Sequence, residues 1–283
     1  MSTARISTYM SSPVYVVRPT DTLAYARNLI LEKSVSRLVV VNNDSKPVGV
    51  LTVSDIAKTL ILGPERGLDE ILVREVMSKP PIVIEETKTI KTAARLMLKH
   101  KIGGLPVVSK SGTLVGIITR TDLVKAFAER YEGVYLVRDL MRKRFPVLRK
   151  SHSIFYAAKL IEADISGKAV VLDEEGRPIG VVTKRDIAFM ELSLLSKRGK
   201  EGFRKVKSSH PAKEEISLTR FYLVPLVEEV MSNDLVTIRT DESATEAAKI
   251  MIEREIGCLP VVDDSGRAVG LLTKIEFLYA IAL

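Results

Sequence analysis

Four times along the chain a threonine hydroxyl is followed three residues later by a carboxylate: Thr52/Asp55, Thr119/Asp122, Thr183/Asp186 and Thr273/Glu276. A glycine and two apolar residues precede each threonine, as in Gly116-Ile117-Ile118-Thr119. A hydroxyl and a carboxylate at this spacing can close a helix N-terminus by bonding backbone N–H groups that the first turn leaves unpaired. The same groups can also hold a polar ligand, and their repetition suggests one kind of ligand site. The two roles are compatible. Cations stand close by: Arg120, Lys184 and Lys274 directly follow three of the threonines, and Arg37 and Lys168 open apolar runs upstream. Val53 takes the corresponding place after Thr52. Catalysis is poorly served. His100, His152 and His210 do not recur among the repeats, and no Ser/His/Asp, Cys/His or metal-ligand spacing stands out. A non-enzyme without a metal site is expected.

The elements that must position these groups repeat with them. A methionine lies 42 residues before each threonine (Met10, Met77, Met141, Met231), with no insertion inside any copy, so one structural unit is used four times. In the second copy Ile82-Val83-Ile84 reads as a short strand, Thr89 as the N-cap of a helix from Ile90, and Gly103 to Ile118 as a hairpin turning at Ser111-Gly112. A last helix starts near Thr121-Asp122. The unit is β-α-β-β-α, and the fold class α/β (α+β). Thr22, Ser153 and Ser243 match Thr89, and an alanine lies inside each first helix at Ala26, Ala93, Ala157 and Ala247, where a small residue permits close packing. The copies span 5–62, 73–130, 137–192 and 227–283. Copies one and three carry Ser36-Arg37 and Gly167-Lys168 where copies two and four carry Gly103-Gly104 and Gly257-Cys258. This alternation pairs one with two and three with four. A unit this small buries its apolar faces poorly alone, so the pairing is needed for stability.

The chain has 283 residues, 46% of them hydrophobic, and one cysteine, Cys258. No internal disulfide is possible, which fits a reducing compartment. Residues Met1 to Tyr9 show no secretory pattern, and apolar runs are strand-length, so a cytoplasmic protein is expected. Net charge is +8, and it is local. Residues 138–150 hold six cations against one acid, and the 193–226 insertion holds eight against three, leaving −2 for the rest. Arg142, Lys143 and Arg144 form one cluster; Lys197, Arg198, Lys200, Arg204, Lys205 and Lys207 form the other, interleaved with Phe203 and glycine. Such placement suits a polyanion.

The unit ending in Gly-apolar-apolar-Thr-x-x-Asp resembles the cystathionine β-synthase (CBS) domain, here as a stand-alone, archaeal-type chain of four repeats forming two Bateman modules. The resemblance implies inter-domain clefts that take AMP, ADP, ATP or S-adenosylmethionine as a regulatory ligand, with no cofactor required. Carried over by position, Asp55, Asp122 and Asp186 accept from ribose hydroxyls, and Thr52, Thr119, Thr183 and Thr273 bond ribose or phosphate. Arg37, Arg120, Lys168, Lys184 and Lys274 reach phosphate, and backbone around Val14, Ile82, Val147 and Val236 frames the adenine. Glu276 departs from the aspartate pattern, which puts the fourth ribose site in question; the sites near Asp122 and Asp186 rank first. Together with the basic segments, the likeness implies docking on RNA or the ribosome, with ribosome hibernation or translation inhibition as a specific role. The alternative is an energy- or S-adenosylmethionine-sensing subunit of a partner enzyme or transporter. The chain is expected as a monomer or homodimer.

Overall fold

A computed structural model describes residues 4–61, 66–187 and 225–283. The second copy runs β4 (Ile84–Glu85), α4 (Ile90–His100), β5 (Gly104–Val108), β6 (Leu114–Thr119) and α5 (Arg120–Arg130). The first runs β1 (Val16–Val17), α1 (Leu23–Glu32), β2 (Arg37–Val41), β3 (Pro47–Thr52) and α2 (Val53–Ile61). Before copies two and three stand the one-turn helices α3 (Val73–Val76) and α6 (Val137–Leu140). The third has β7 (Val147–Leu148), α7 (Ile154–Ala163), β8 (Lys168–Leu172) and β9 (Pro178–Thr183); the fourth has β10 (Ile238–Arg239), α8 (Ala244–Glu253), β11 (Cys258–Val262), β12 (Ala268–Thr273) and α9 (Lys274–Ala282). Each copy makes a three-stranded sheet in chain order, the first pair parallel and the second antiparallel. Thr22, Thr89, Ser153 and Ser243 each cap their helix by accepting a backbone N–H, and Ala26, Ala93, Ala157 and Ala247 are fully buried. Gly112 has φ 82°, the left-handed conformation its turn needs.

One expectation shifts. The strand anticipated from Ile82 begins at Ile84, because the chain just before it belongs to a different sheet: Ser78 bridges to Val50 of copy one. The exchange is reciprocal, since Ser11 bridges to Ile117 of copy two. Copies three and four repeat it through Arg142 with Leu271 and Ser232 with Val181. The recurring methionine and glycine meet across this exchange. A Cβ on Gly116 would stand 2.6 Å from Met10 Sδ, and one on Gly270 would stand 2.6 Å from Met141 Sδ. Met77 packs on Gly49 and Met231 on Gly180 in the same way. Pairing of one with two and three with four is therefore built from swapped lead-in segments, each locked by a methionine over a bare glycine.

The two pairs join through copies two and four. Helices α4 and α5 pack on α9 and α8 around one continuous core in which Phe127 meets Phe277 edge-on at 4.9 Å. Ala94 and Ala248 keep that face small and are fully buried. Copy one has Arg27 at the matching position, a charge such a face could not bury unpaired. Copies one and three keep separate cores around Leu38 and Ile161. Lys91 and Arg95 donate to the carbonyls of Leu283 and Ala282 at the end of α9, tying copy two to copy four. No helix among the described residues is long and apolar enough to cross a membrane.

Candidate functional site

The four Thr-x-x-acid motifs are all capping boxes. The threonine N–H and Oγ1–H both donate to a single carboxylate oxygen, at 2.8 and 2.6 Å for Asp55, 2.7 and 2.7 Å for Asp122, 2.8 and 2.8 Å for Asp186, and 2.7 and 2.5 Å for Glu276. The box uses Oδ2 of each aspartate and leaves Oδ1 outside it. Capping and ligand contact can thus coexist in one residue.

The swapped segments regroup the candidate residues across copies. Ser11 pairs with β6 and Val16 pairs with Val39 on β2, so Val14 crosses between the strand of Arg37 and the strand leading to Thr119. By the same exchange Ile82 joins Thr52 and Asp55, Val147 joins Thr273 and Glu276, and Val236 joins Thr183 and Asp186. Each cleft is a composite of two copies. Val14 also lines a shallow hollow of about 260 Å³ with Val16, Val41 and Leu114, at the strand ends remote from Arg37 and Thr119.

The cations follow the alternation seen in the sequence. Arg37 of copy one lies over Gly103 and Gly104 of copy two; a Cβ on Gly103 would stand 2.8 Å from its Nη2. Lys168 of copy three lies over Gly257 of copy four, with Nζ 2.7 Å from a Cβ built there. The bare glycines are what admit these side chains. Arg37 sits beside Arg120 and Asp122. Burial, then the like charge of Arg120, push its pKa down to about 10, with Asp122 opposing. Nε of Arg37 and Nε of Arg120 are both buried without a hydrogen-bond partner, although Nη2 of Arg120 donates to Ile102 O at 3.3 Å. Lys274 donates to Thr121 Oγ1 at 2.9 Å across the stack of copies two and four. Burial, then Lys168, lower its pKa, and Asp122 opposes. Arg37, Arg120, Lys168 and Lys274 thus lie around Asp122 and Glu276 near the junction of the two pairs. Lys184 stands apart: its stem runs along Gly167 and it is exposed.

CBS-domain sequences match residues 6–62, 73–129, 137–191 and 227–283. The chain belongs to the CBS-domain family. It is similar to the uncharacterized protein MJ1225 of Methanocaldococcus jannaschii, 26% identical over 278 residues and 94% of each chain. The crystal structure of MJ1225 superposes at TM-score 0.78 and 24% identity, covering 99% of this chain and all of that one. An uncharacterized conserved protein from Pyrococcus horikoshii superposes at TM-score 0.67 and 20% identity, covering 98% and 99%. An L-aspartate semialdehyde sulfurtransferase of M. jannaschii is 36% identical over 118 residues, which is 41% of this chain and only 22% of that enzyme.

The four CBS clefts are not equivalent. In the third copy the residue after the methionine is Arg142, expected from the sequence in a polyanion-facing cluster. The structure turns it inward instead. Its Nη1 and Nη2 reach Asp164 at 2.9 and 3.4 Å, and its Nε lies 2.8 Å from Glu276 Oε1, close enough for an ion pair but without hydrogen-bond alignment. Its neighbours Lys143 and Arg144 are exposed. Lys197, Arg198, Lys200, Arg204, Lys205 and Lys207 lie outside the described residues. Burial pushes the Glu276 carboxyl up, with Thr273 and Arg142 pulling the other way. Burial also pushes Asp164 up, but the bonds from Arg142 and Ser166 outweigh it and leave it below the ordinary carboxylate value. The opposite outcomes follow from burial first and geometry second: Glu276 is the more deeply buried and takes only the poorly aligned Nε, whereas Asp164 is less buried and takes the fork of the guanidinium.

Proposed function

We propose that this CBS-domain protein is a non-catalytic regulatory protein that senses an adenosyl ligand in its inter-copy clefts. The observation that carries the reading is the pair of enclosed guanidiniums, Arg37 and Arg120, with unbonded Nε atoms beside Asp122. Two half-buried like charges are costly unless an anion joins them, and a carboxylate with one oxygen outside its capping box suits a cis-diol. A ribose on Asp122, a base along Val14 and a phosphate toward Arg37 and Arg120 use all three features. The clustered guanidiniums favour AMP, ADP or ATP over S-adenosylmethionine, whose sulfonium is itself a cation. Because Lys274 of copy four bonds Thr121, next to Arg120, occupancy of this cleft is linked to the joint between the two pairs, and linkage of that kind is how a ligand would alter an outward surface. Calorimetric titration with AMP tests the reading. Asp122→Asn and Arg37→Met should each weaken binding about tenfold or more; unchanged affinity in both variants would refute it.

A second reading concerns the partner. We infer that the basic surface beside copy three, where Lys143, Arg144, Arg149 and Lys150 are exposed, docks on RNA, with the ribosome as the candidate particle and translation inhibition or hibernation as the candidate role. Sedimentation of cell extract through sucrose at low salt is the test. Co-migration with ribosomal particles that is lost with RNase or at high salt supports it. Recovery at the top of the gradient favours a subunit that reports ligand level to a partner enzyme or transporter.

A further inference from the structure

Three residues depart together from the repeat, and they meet in space. Copies one, two and four have a serine after the methionine (Ser11, Ser78, Ser232), whereas copy three has Arg142. Twenty-three residues after the methionine those copies carry Lys33, His100 and Arg254, whereas copy three has Asp164 at the end of α7. Copies one to three have an aspartate in the capping box, whereas copy four has Glu276. The swapped lead-in of copy three carries Arg142 onto β12 of copy four, and its guanidinium lies between Asp164 and Glu276. Glu276 is 3% exposed, and Oε1, the oxygen outside its capping box, faces Arg142. The extra methylene of glutamate extends that oxygen farther than an aspartate could.

We propose that Arg142 is a built-in occupant of the Glu276 cleft, holding the carboxylate oxygen that a ribose would need in the other clefts. The chain therefore takes at most three adenosyl ligands, and the fourth cleft is a fixed clasp between copies three and four. An ion pair enclosed to this degree is hard to displace, since a ligand would have to leave the guanidinium facing Asp164 alone and strip Glu276 of its countercharge. Position by position, the clasp replaces the serine, base and aspartate of the repeat with a base, acid and longer acid, so it can be reverted as a set.

The inference rests on the adenosyl-ligand reading, and the experiment separates the two. Bound AMP is counted by native mass spectrometry and equilibrium dialysis for the wild type, for Arg142→Ser/Asp164→Lys/Glu276→Asp, and for Asp122→Asn. The expected result is no more than three AMP on the wild type, one more on the triple variant, and one fewer on Asp122→Asn. Four AMP on the wild type, or no gain in a folded triple variant, overturns the proposal. If the wild type binds neither AMP nor S-adenosylmethionine, the ligand reading falls, and the clasp is judged by a urea double-mutant cycle of Arg142→Met and Glu276→Gln. Coupling of about tenfold in the folding equilibrium keeps it as a structural joint; additive effects overturn it.

Discussion

Arg37 is a charge held at a disadvantage, and replacing it should reveal how much. Burial and the neighbouring Arg120 push its pKa down to about 10 in the folded protein. At about 1.4 kcal/mol per unit, the folded protein carries a cost on the order of 3 kcal/mol for keeping the guanidinium charged in that position. Little recovers it: Nε is unbonded, Nη2 makes only a long 3.5 Å bond to Ser36 Oγ, and of the charges that act on it Arg120 repels and Asp122 attracts more weakly. Arg37→Met keeps an unbranched stem over Gly103 and Gly104 and removes the charge. Without ligand it should raise the unfolding free energy by about 1–3 kcal/mol, the lower end allowing for imperfect refilling of the guanidinium's space. In a domain assembly of this size that is a rise of roughly 2–10 °C in Tm. Urea denaturation at pH 7 with and without AMP measures both halves of the argument. AMP should stabilise the wild type more than the variant, which keeps its other clefts, so the two curves should approach or cross as ligand is added. A variant that is less stable than the wild type by 1 kcal/mol or more in the absence of ligand would refute the reasoning, because Arg37 would then be a satisfied structural contact rather than a waiting anion site.

Two further outcomes follow from the same geometry. Gly116→Ala places a Cβ 2.6 Å from Met10 Sδ and 3.2 Å from Ser11 O, so it should cost about 1–3 kcal/mol; Met10→Ala, which makes room, should remove most of that cost in the double variant, as read by the coupling term of a urea double-mutant cycle. Asp164 lies below its ordinary pKa in the folded state, so its contribution is present above the unfolded value near 3.8 and is lost as pH falls. Asp164→Asn should therefore cost about 1–3 kcal/mol near neutral pH and progressively less as pH falls below 3.8, as Tm scans of both proteins will show.

The repeat made most of the fold legible. The spacing of Met, Gly, Thr and acid gave the unit, the hydroxyls before Leu23, Ile90, Ile154 and Ala244 marked the helix starts, and the contrast of Ser36-Arg37 with Gly103-Gly104 marked the pairs. What that contrast meant was not visible until Arg37 lay over those glycines. A period counted along the chain cannot say whether a methionine packs on its own glycine or on its neighbour's, and the clefts had to be regrouped for that reason. The stack of copies two and four was also hidden, since Ala94 and Ala248 read as ordinary helix residues and only the arginine at position 27 signals that copy one lacks the same face. Arg142 misled for a related reason: a cation among exposed cations reads as part of a patch, and its acids come from Asp164, 22 residues on, and from Glu276 in another copy. The 3.6-residue period and the run of charge report local geometry, whereas these contacts are long-range.

The swapped lead-in segments also set an order for synthesis. Ser11 leaves the ribosome early, but its partner Ile117 follows only after about another hundred residues, which at 5–20 residues per second is a wait of roughly 5–20 s. Copy one lacks Met77 over Gly49 for the first part of that wait, and it lacks a sheet to receive its own methionine for all of it. The smallest piece that can close on itself is a pair, so a chain cut within a pair leaves two open edges, whereas one cut between residues 130 and 137 leaves the first pair with both of its exchanged segments.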